Sequence, residues 1–151
     1  MEDIIKKIKE GLGKKIKNWE EKNPRRIYIT IDKEDIREVA RFIFEDCRAR
    51  FIILTGIDTP HGFENLYHFD LDSMGIVVTV KTLIPKSAPE IDSIATIIPG
   101  ANFIEREVCE LLGVKFAGHP DPRPLLLPDD WPEGVYPLRT DIATDGTPKN
   151  K

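Results

Sequence analysis

Apolar residues recur every three or four positions in two N-terminal segments, a spacing that is typical of helices with one buried side. Gly11 and Gly13 weaken the first of these helices. Asp32 is a favourable N-cap for the second helix, which we expect to end near Cys47. The apolar positions are Ile4, Ile5, Ile8, Leu12, Ile16 and Trp19 in the first helix, and Ile36, Val39, Ala40, Ile43 and Phe44 in the second.

Four further segments have the apolar patterns that are typical of β-strands. A turn at Ser73, Met74 and Gly75 joins the last two, which we expect to pair as an antiparallel hairpin. Residues 1–117 therefore predict a compact, two-layer α+β domain. Its sheet would be roughly four-stranded and mixed or mostly antiparallel, with the helices on one face. The four segments are 26–31, 50–57, 64–72 and 76–84.

A third helix is predicted after the Pro99-Gly100 pair. Asn102 is a favourable N-cap residue, and Glu105 has the spacing that would complete a capping box with it. Gly113 suits the C-terminal position of a helix, where the backbone needs a positive φ. Ahead of this helix, residues 91–97 predict a short helical turn.

Residues 118–151 predict an extended tail, because six prolines fall between Pro120 and Pro137 and exclude a helix or a central strand. The tail also carries seven large apolar side chains, which would leave a sizeable apolar surface in water. We therefore predict that the tail binds a partner protein that covers them. These side chains are Leu125, Leu126, Leu127, Trp131, Val135, Tyr136 and Leu138.

The charge balance argues against nucleic-acid binding, because 22 basic and 26 acidic residues give a net charge of −4. Glutamates are mixed among the lysines between Lys6 and Lys22, which is typical of a solvated helix face. No apolar run is long enough for a signal peptide or a membrane span, so we expect membrane contact only through partners. The charged fraction of 32% hints at a thermophilic source.

The residues that carry chemistry in other proteins form no recognisable site in this sequence. Cys47 and Cys109 lack CxxC spacing, so neither a disulfide nor a cluster site is indicated, and a reducing cytosol is the expected compartment. None of His61, His68 and His119 has the neighbouring ligands that a metal site needs. Glycine-rich phosphate-binding loops are absent as well. We expect no catalytic residue, metal ion or cofactor in this chain.

The charged trio Glu105-Arg106-Glu107 leaves two interpretations open. In the first, Glu105 caps the helix and Arg106 forms a surface ion pair with Glu110. In the second, Arg106 and Glu107 bond across an interface, where charge-assisted hydrogen bonds fix the orientation of the partner.

Two other functions remain open from the residues alone. A small stand-alone enzyme would use His119, Asp121 and residues 105–107 as an acid/base pocket, and its tail would fold back on its own domain. A ligand-binding module would use the polar strand face around His68 and Asp70.

A series of short motifs runs through the second half of the chain: YHF at 67–69, PGANFIERE at 99–107, LGVKF at 112–116, GHPD at 118–121 and LLPDDW at 126–131. In these motifs the chain resembles the C-type subunit of NADH:quinone oxidoreductase (respiratory complex I) and its relatives in energy-converting, membrane-bound NiFe hydrogenases. The segment from Trp131 to Pro137 is more similar to the hydrogenase-side relatives, which include sulfur-reducing and other ferredoxin-linked complexes. The chain departs from the family pattern at Cys109, Glu110, Pro122 and Pro124.

The resemblance implies a hydrophilic structural subunit without a cofactor of its own, peripheral on the cytoplasmic face of the cell membrane. Its tail would bind a large, NiFe-hydrogenase-like catalytic subunit, and a small iron–sulfur subunit would belong to the same complex. These partners would hold the iron–sulfur clusters and, in a hydrogenase, the NiFe centre. An alternative is the C-type subunit of a respiratory NADH or other quinone oxidoreductase. The predicted partner-binding residues are Glu105, Arg106, Glu107, His119, Asp121, Arg123, Leu126, Leu127, Trp131, Tyr136, Leu138 and Arg139.

Overall fold

The structure is a computed structural model, and it describes residues 2–140. A five-stranded sheet with the strand order β1-β2-β5-β4-β3 forms one layer. Neighbouring strands are antiparallel except for β2 and β5, which are parallel. The strands of this sheet are β1 (Asn18–Asn23), β2 (Arg26–Thr30), β3 (Arg50–Thr59), β4 (Gly62–Leu71) and β5 (Ile76–Ile84). Two short parallel strands, β6 (Glu90–Asp92) and β7 (Lys115–Ala117), pair outside it.

Three α-helices contribute to the hydrophobic core on one side of this sheet: α1 (Glu2–Leu12), α2 (Ile36–Arg41) and α3 (Asn102–Leu112). Helix α2 continues as a π-helical turn as far as Asp46. On this side of the sheet, four residues that are neighbours across the strands are buried: Leu54, Tyr67, Val80 and Ile29. The opposite face stays open to solvent, and Ile53 and Leu83 on it are 44% and 47% exposed. The predicted α+β class is confirmed.

The N-terminal helix is shorter than predicted, and the sheet has five strands in place of four. Helix α1 ends at Leu12, because Gly13 adopts a positive φ of 49°. Trp19, which was expected on this helix, lies in β1 and pairs with Ile29 of β2. The ammonium group of Lys9 lies 4.5 Å from the centre of its ring. The helical spacing that links Trp19 to Leu12 was therefore coincidental.

The predicted capping box of the third helix is wrong. Asn102 already has helical backbone angles, and no side chain caps the start of α3. The carboxylate of Glu105 points into the core, where the residue is fully buried. Asp32 likewise makes no capping hydrogen bond. The helical turn expected at 91–97 is in part the strand β6.

Candidate partner-binding surface formed by helix α3 and the tail

Arg106 fixes the start of the tail against α3. Its guanidinium donates from Nε to the carbonyl of Arg123 (2.7 Å) and from Nη2 to the carbonyl of Pro124 (2.9 Å). A third nitrogen, Nη1, lies 3.7 Å from a carboxylate oxygen of Asp121. The residue is only 8% exposed. Because the guanidinium is a rigid fork of donors, it can orient two successive carbonyls at once.

Glu110, one turn further along α3, holds the next part of the tail. One carboxylate oxygen accepts from the amide of Leu125 (2.7 Å) and the other from the amide of Leu126 (2.8 Å). Such charge-assisted bonds are stronger than bonds between neutral groups. The surface ion pair that one interpretation placed between Arg106 and Glu110 is not formed, because both side chains bind the backbone of the tail instead.

The far end of the described tail donates hydrogen bonds to backbone carbonyls in the last turn of α3. The amide of Leu138 donates to the carbonyl of Leu111 (3.0 Å), and Arg139 Nε donates to the carbonyl of Leu112 (2.6 Å). The last carbonyls of a helix lack partners within the helix, so the tail stabilises the helix end that it covers. The guanidinium carbon of Arg139 also lies 4.4 Å from the centre of the Tyr136 ring, as in a cation–π contact.

Gly113, just after α3, is required at this junction for two reasons. Its φ of 75° is in the left-handed region, which confirms the predicted helix end. A β-carbon at this position would lie 2.5 Å from Nη2 of Arg139 and 2.6 Å from a ring carbon of Tyr136. A side chain there would displace the tail.

Asp58 at the end of β3 holds the last described residue of the tail. One carboxylate oxygen accepts from the amide (2.8 Å) and the hydroxyl (3.0 Å) of Thr140, and the other lies 2.5 Å from Lys86 Nζ. Burial alone would raise the pKa of Asp58, but these bonds outweigh it and keep the pKa below its ordinary value.

Glu105 links α3 to the segment that follows β6. Its carboxylate accepts from the hydroxyl of Ser93 (2.5 Å) and the amide of Ile94 (2.7 Å). Burial raises the pKa of Glu105 to about 7, although the bonds from Ser93 and Ile94 and the charge of Arg37 act in the opposite direction. A titratable carboxyl is thus enclosed in the core directly beneath the first turns of α3.

His119 marks the point where the tail leaves the domain. Its Nδ1 accepts from the amide of Asp121 (3.0 Å), which leaves Nε2–H to donate to the carbonyl of Asn102 (3.0 Å). Nε2 also lies 3.7 Å from a carboxylate oxygen of Glu105, and the His119 side chain is 3% exposed. The ring therefore fixes the direction of the chain between β7 and the tail.

Asp121 and Arg123 form a two-point ion pair next to this corner. Arg123 donates from Nε (2.6 Å) and Nη2 (2.8 Å) to the two carboxylate oxygens. The guanidinium of Arg123 is the main reason that the pKa of Asp121 falls to about 2. The Arg123 side chain is 77% exposed, so part of its fork remains open to solvent.

Large apolar side chains stay exposed on this surface although the tail is held in place. Leu126 and Leu138 are 59% and 56% exposed, and Phe103 on α3 is 64% exposed. Trp131 is partly buried and donates from its indole to the carbonyl of Val135 (2.8 Å). An apolar surface is exposed to water here, and residues 2–140 do not cover it.

The remaining predicted binding residues lie in different settings. Residues 127–136, which we call the tail loop, begin with Leu127, and its side chain lines a cavity between the loop and α3. Tyr136 ends the loop against Gly113. Glu107 is partly exposed and forms no hydrogen bond or ion pair with residues 2–140. The structure thus places ten of the twelve predicted residues at the contacts between α3 and the tail or on the tail itself. Glu105 lies beneath this surface, fully buried and bonded to Ser93 and Ile94, out of reach of a partner. Glu107 is on the same helix but is unpaired within residues 2–140.

Sequence reasoning missed three residues that shape this surface. Glu110 was considered as a partner of Arg106 and as a departure from the family pattern, but not as a binding residue, yet it holds two tail amides. Phe103, a large apolar residue in the PGANFIERE motif, was not assigned to the surface, yet it is 64% exposed. Asp58 had no signal, because its partner Thr140 is distant in sequence.

Within residues 2–140, no group of three or more histidine, cysteine, aspartate or glutamate side chains is arranged to hold a metal ion. In the same range, no helix has the length and apolarity needed to cross a bilayer. His68 on the open sheet face bonds to Thr55 (3.3 Å) and Thr79 (2.9 Å), and burial lowers its pKa.

Residues 29–148 match the protein family described as the 30 Kd subunit of respiratory-chain NADH dehydrogenase. The chain belongs to this family. It is 34% identical to the C-type subunit of the F(420)H(2) dehydrogenase of Methanosarcina mazei, a match that covers 79% of this chain and 77% of the relative. It is 37% identical to the beta subunit of the membrane-bound hydrogenase of Pyrococcus furiosus, over 77% of this chain and 69% of the relative.

A third relative, the C-type subunit of the NADH-quinone oxidoreductase of Chloroherpeton thalassium, is 39% identical over 89% of this chain and 57% of the relative. Among solved structures, a chain of the membrane-bound sulfane sulfur reductase, an archaeal respiratory membrane complex, superposes with a TM-score of 0.79 at 28% identity. That match covers 93% of this chain and 84% of the other. A trypsin-resistant fragment of Nqo5 (TM-score 0.63, 22% identity, 80% and 97% coverage) shares the fold. The resemblance read from the motifs is confirmed.

The interpretation as a stand-alone enzyme predicted a tail that folds back on its own domain, and the structure has this feature. The proposed acid/base groups are nevertheless poorly placed for a substrate. Both carboxylate oxygens of Glu105 are bonded within the fully buried core, and both ring nitrogens of His119 are bonded to the backbone. General acid–base catalysis needs a group within hydrogen-bond reach of the substrate.

Proposed function

We propose that this chain is a hydrophilic structural subunit of a membrane-bound, ion-pumping redox complex of the hydrogenase or sulfur-reductase type. Its tail would bind the large catalytic subunit, and a small iron–sulfur subunit would belong to the same assembly. The partners would hold the iron–sulfur clusters and any NiFe centre, and this chain would hold no cofactor. It would lie on the cytoplasmic face of the membrane and contact the bilayer through those partners alone.

The observation that carries this proposal is a tail that is ordered yet incompletely covered. Arg106, Glu110 and Arg139 hold its backbone, while Leu126 and Leu138 remain more than half exposed. A surface that is already organised loses little conformational entropy when it binds. Exposed apolar side chains on an ordered surface are typical of protein interfaces. Membership of the family supports the same role.

The identity of the complex is supported from two directions. The relatives include subunits of a membrane-bound hydrogenase and of an F(420)H(2) dehydrogenase, and the structure with a TM-score of 0.79 comes from a sulfane sulfur reductase. A further relative belongs to an NADH-quinone oxidoreductase, which keeps the corresponding subunit of a respiratory quinone oxidoreductase as the second candidate.

Affinity purification tests the proposal. The chain, tagged at its N-terminus and produced together with the other genes of its complex, is purified from membranes, and the co-purifying proteins are identified by mass spectrometry. We expect a NiFe-hydrogenase-like large subunit and a small iron–sulfur subunit. Recovery of neither, nor of their complex I equivalents, would contradict the proposal.

A pair of double variants tests the surface itself. Leu126→Ala with Leu138→Ala is expected to lower recovery of the large subunit at least fivefold, which corresponds to about 1 kcal/mol. The matched control is Ile53→Ala with Leu83→Ala, two exposed apolar residues on the open sheet face. If the control variant lost the large subunit and the tail variant kept it, the open sheet face would be the interface.

The absence of a cofactor is tested separately. The purified chain is incubated with iron, sulfide and flavin under reducing conditions and then desalted. We expect an absorbance spectrum of protein alone. A stable charge-transfer band or flavin spectrum in the protein fraction would refute this part of the proposal.

A further inference from the structure

The tail loop encloses a cavity with helix α3 and strand β7. Arg106 and Glu110 hold the chain just before the loop, and Arg139 holds it just after. Between these points the loop stands away from the domain and leaves a cavity of about 660 Å³. This volume lies within the ~300–1,000 Å³ that is usual for ligand pockets.

The walls of the cavity are largely apolar. Phe116 at the base is 6% exposed, and the large apolar side chains of the tail loop are partly buried around it. Cys109 contributes from α3, and burial raises the pKa of its thiol, which keeps it neutral. The principal apolar lining residues are Cys109, Phe116, Leu127, Trp131, Val135 and Tyr136.

The rim of the cavity is acidic. Asp129 and Glu133 line the cavity, and Asp130 is next to Asp129 on the same loop. All three are exposed, and none of them forms an ion pair with any residue between 2 and 140. The tail loop itself has no lysine or arginine. Three basic residues line the other walls, but each lies near a different carboxylate: Arg106 and Arg123 near Asp121, and Lys115 near Glu90. Three carboxylates without an ion-pair partner among residues 2–140 give this short loop a negative potential that attracts cations and repels anions.

We propose that the cavity receives an apolar side chain from a segment of another subunit, and that lysine or arginine residues flank this side chain and meet the acidic rim. This inference rests on the proposed function and names the kind of partner segment that the tail recognises. An apolar anchor in a pocket, surrounded by complementary charges, is a common arrangement at protein interfaces.

The acidic rim distinguishes this occupant from others. A phospholipid or a free phosphate would bring negative charge to the three carboxylates of the rim, which disfavours it. The last residues of the chain, 141–151, offer one large apolar side chain, Ile142, and its nearest charged neighbours in sequence are Asp141 and Asp145. Ile142 therefore lacks the adjacent positive charge that the acidic rim would match.

Site-specific photo-crosslinking in the assembled complex tests the inference. Leu127 is replaced by p-benzoyl-phenylalanine, whose ring would project into the cavity, and the complex is purified through a tag on this chain and irradiated. Leu83→p-benzoyl-phenylalanine on the open sheet face is the control. We expect the Leu127 position to crosslink to one peptide of another subunit that carries lysine or arginine within about three residues of the attachment site, on the order of one helical turn.

Several outcomes would overturn the inference. They are a crosslink to residues 141–151, to a lipid, or to a peptide without a basic residue near the attachment site, and the absence of any crosslink in an intact complex. The proposed binding of the large subunit by the tail has its own test, a chain that ends at His119. If this shortened chain still co-purifies with the large subunit, that part of the proposed function is refuted. An intact complex that depends on the tail but gives no crosslink from the cavity refutes this inference alone.

Charge neutralisation provides a second measurement. Asp129→Asn, Asp130→Asn and Glu133→Gln are combined in one variant and expected to lower recovery of the large subunit at least threefold at low salt, with a weaker dependence on salt than the parent. Unchanged recovery and unchanged salt dependence would refute the charge complementarity. The control variant neutralises three exposed carboxylates near α1 and α2: Asp3→Asn, Glu10→Gln and Glu45→Gln.

Discussion

Replacing Glu105 by glutamine is expected to remove a pH dependence from the stability of the domain. Glu105 is fully buried, and its carboxylate accepts hydrogen bonds from Ser93 and Ile94. Burial raises its pKa from 4.5 to about 7. Glutamine has nearly the same shape as the protonated acid. Its carbonyl can accept from Ile94, and its amide can donate to the hydroxyl oxygen of Ser93.

The sign and the size of the effect follow from the two pKa values. Between about pH 4.5 and 7 the folded chain keeps the proton on Glu105 while the unfolded chain loses it, so the stability of the parent falls as the pH rises through this window. A shift from 4.5 to about 7 corresponds to roughly 3 kcal/mol. The glutamine side chain does not titrate, so the unfolding free energy of the variant should not fall through this window for this reason.

Urea denaturation of both proteins between pH 4 and 8 measures the difference in unfolding free energy. We expect the two to be similar near pH 4.5 and the variant to gain about 3 kcal/mol relative to the parent by pH 8. Asp58 and Asp121, whose pKa values are lowered, titrate below this window and are shared by both proteins. Glu107→Gln, a carboxylate removed from the outside of α3, is the matched control.

A flat difference between parent and Glu105→Gln across this range would refute the reasoning, because it would mean that the buried carboxyl titrates as it does in water. A variant that is less stable than the parent by the same amount at every pH would refute it as well, and would show in addition that the glutamine cannot replace the bonds to Ser93 and Ile94.

Three further changes test the contacts of α3 and the tail. Gly113→Ala should lower the unfolding free energy by about 1–2 kcal/mol and speed hydrogen exchange around Tyr136, because a β-carbon is unfavourable at this positive φ and blocks the close approach of the tail. Unchanged exchange would contradict that contact. Gly56→Ala should cost about 1–3 kcal/mol in urea denaturation, because α3 packs directly on this position, whereas Gly100→Ala, in open space, serves as its control. Trp131→Ala should weaken binding of the large subunit by more than ~2 kcal/mol in a calorimetric titration, with Trp131→Phe intermediate; equal affinity of Trp131→Ala and parent would count against the tail as an interface.

The central strands could be predicted from the sequence because their residues alternate between two environments, the core and the open face of the sheet. In β4, residues that face the helices alternate with residues on the open face, and this gives the period of two that the pattern showed. Strand β1 could not be found in this way. Trp19 continues the helical spacing of α1, and only its pairing with Ile29 reveals a strand.

The tail was predictable in composition but not in its path. Its prolines exclude helix and central strand, whereas its position depends on bonds from Arg106 and Glu110 to backbone groups, which any sequence provides. The role of Glu105 was missed for a similar reason. The spacing of a capping box is the same whether the carboxylate turns back to the helix start or inward to Ser93, which lies in a different element.

An electron cryo-microscopy map of the complex purified through this chain would test the central claim most directly. The account predicts that residues 118–140 lie along α3 and against the large catalytic subunit, with Leu126 and Leu138 covered by it. A map in which the large subunit is bound elsewhere and these two side chains still face solvent would contradict the account.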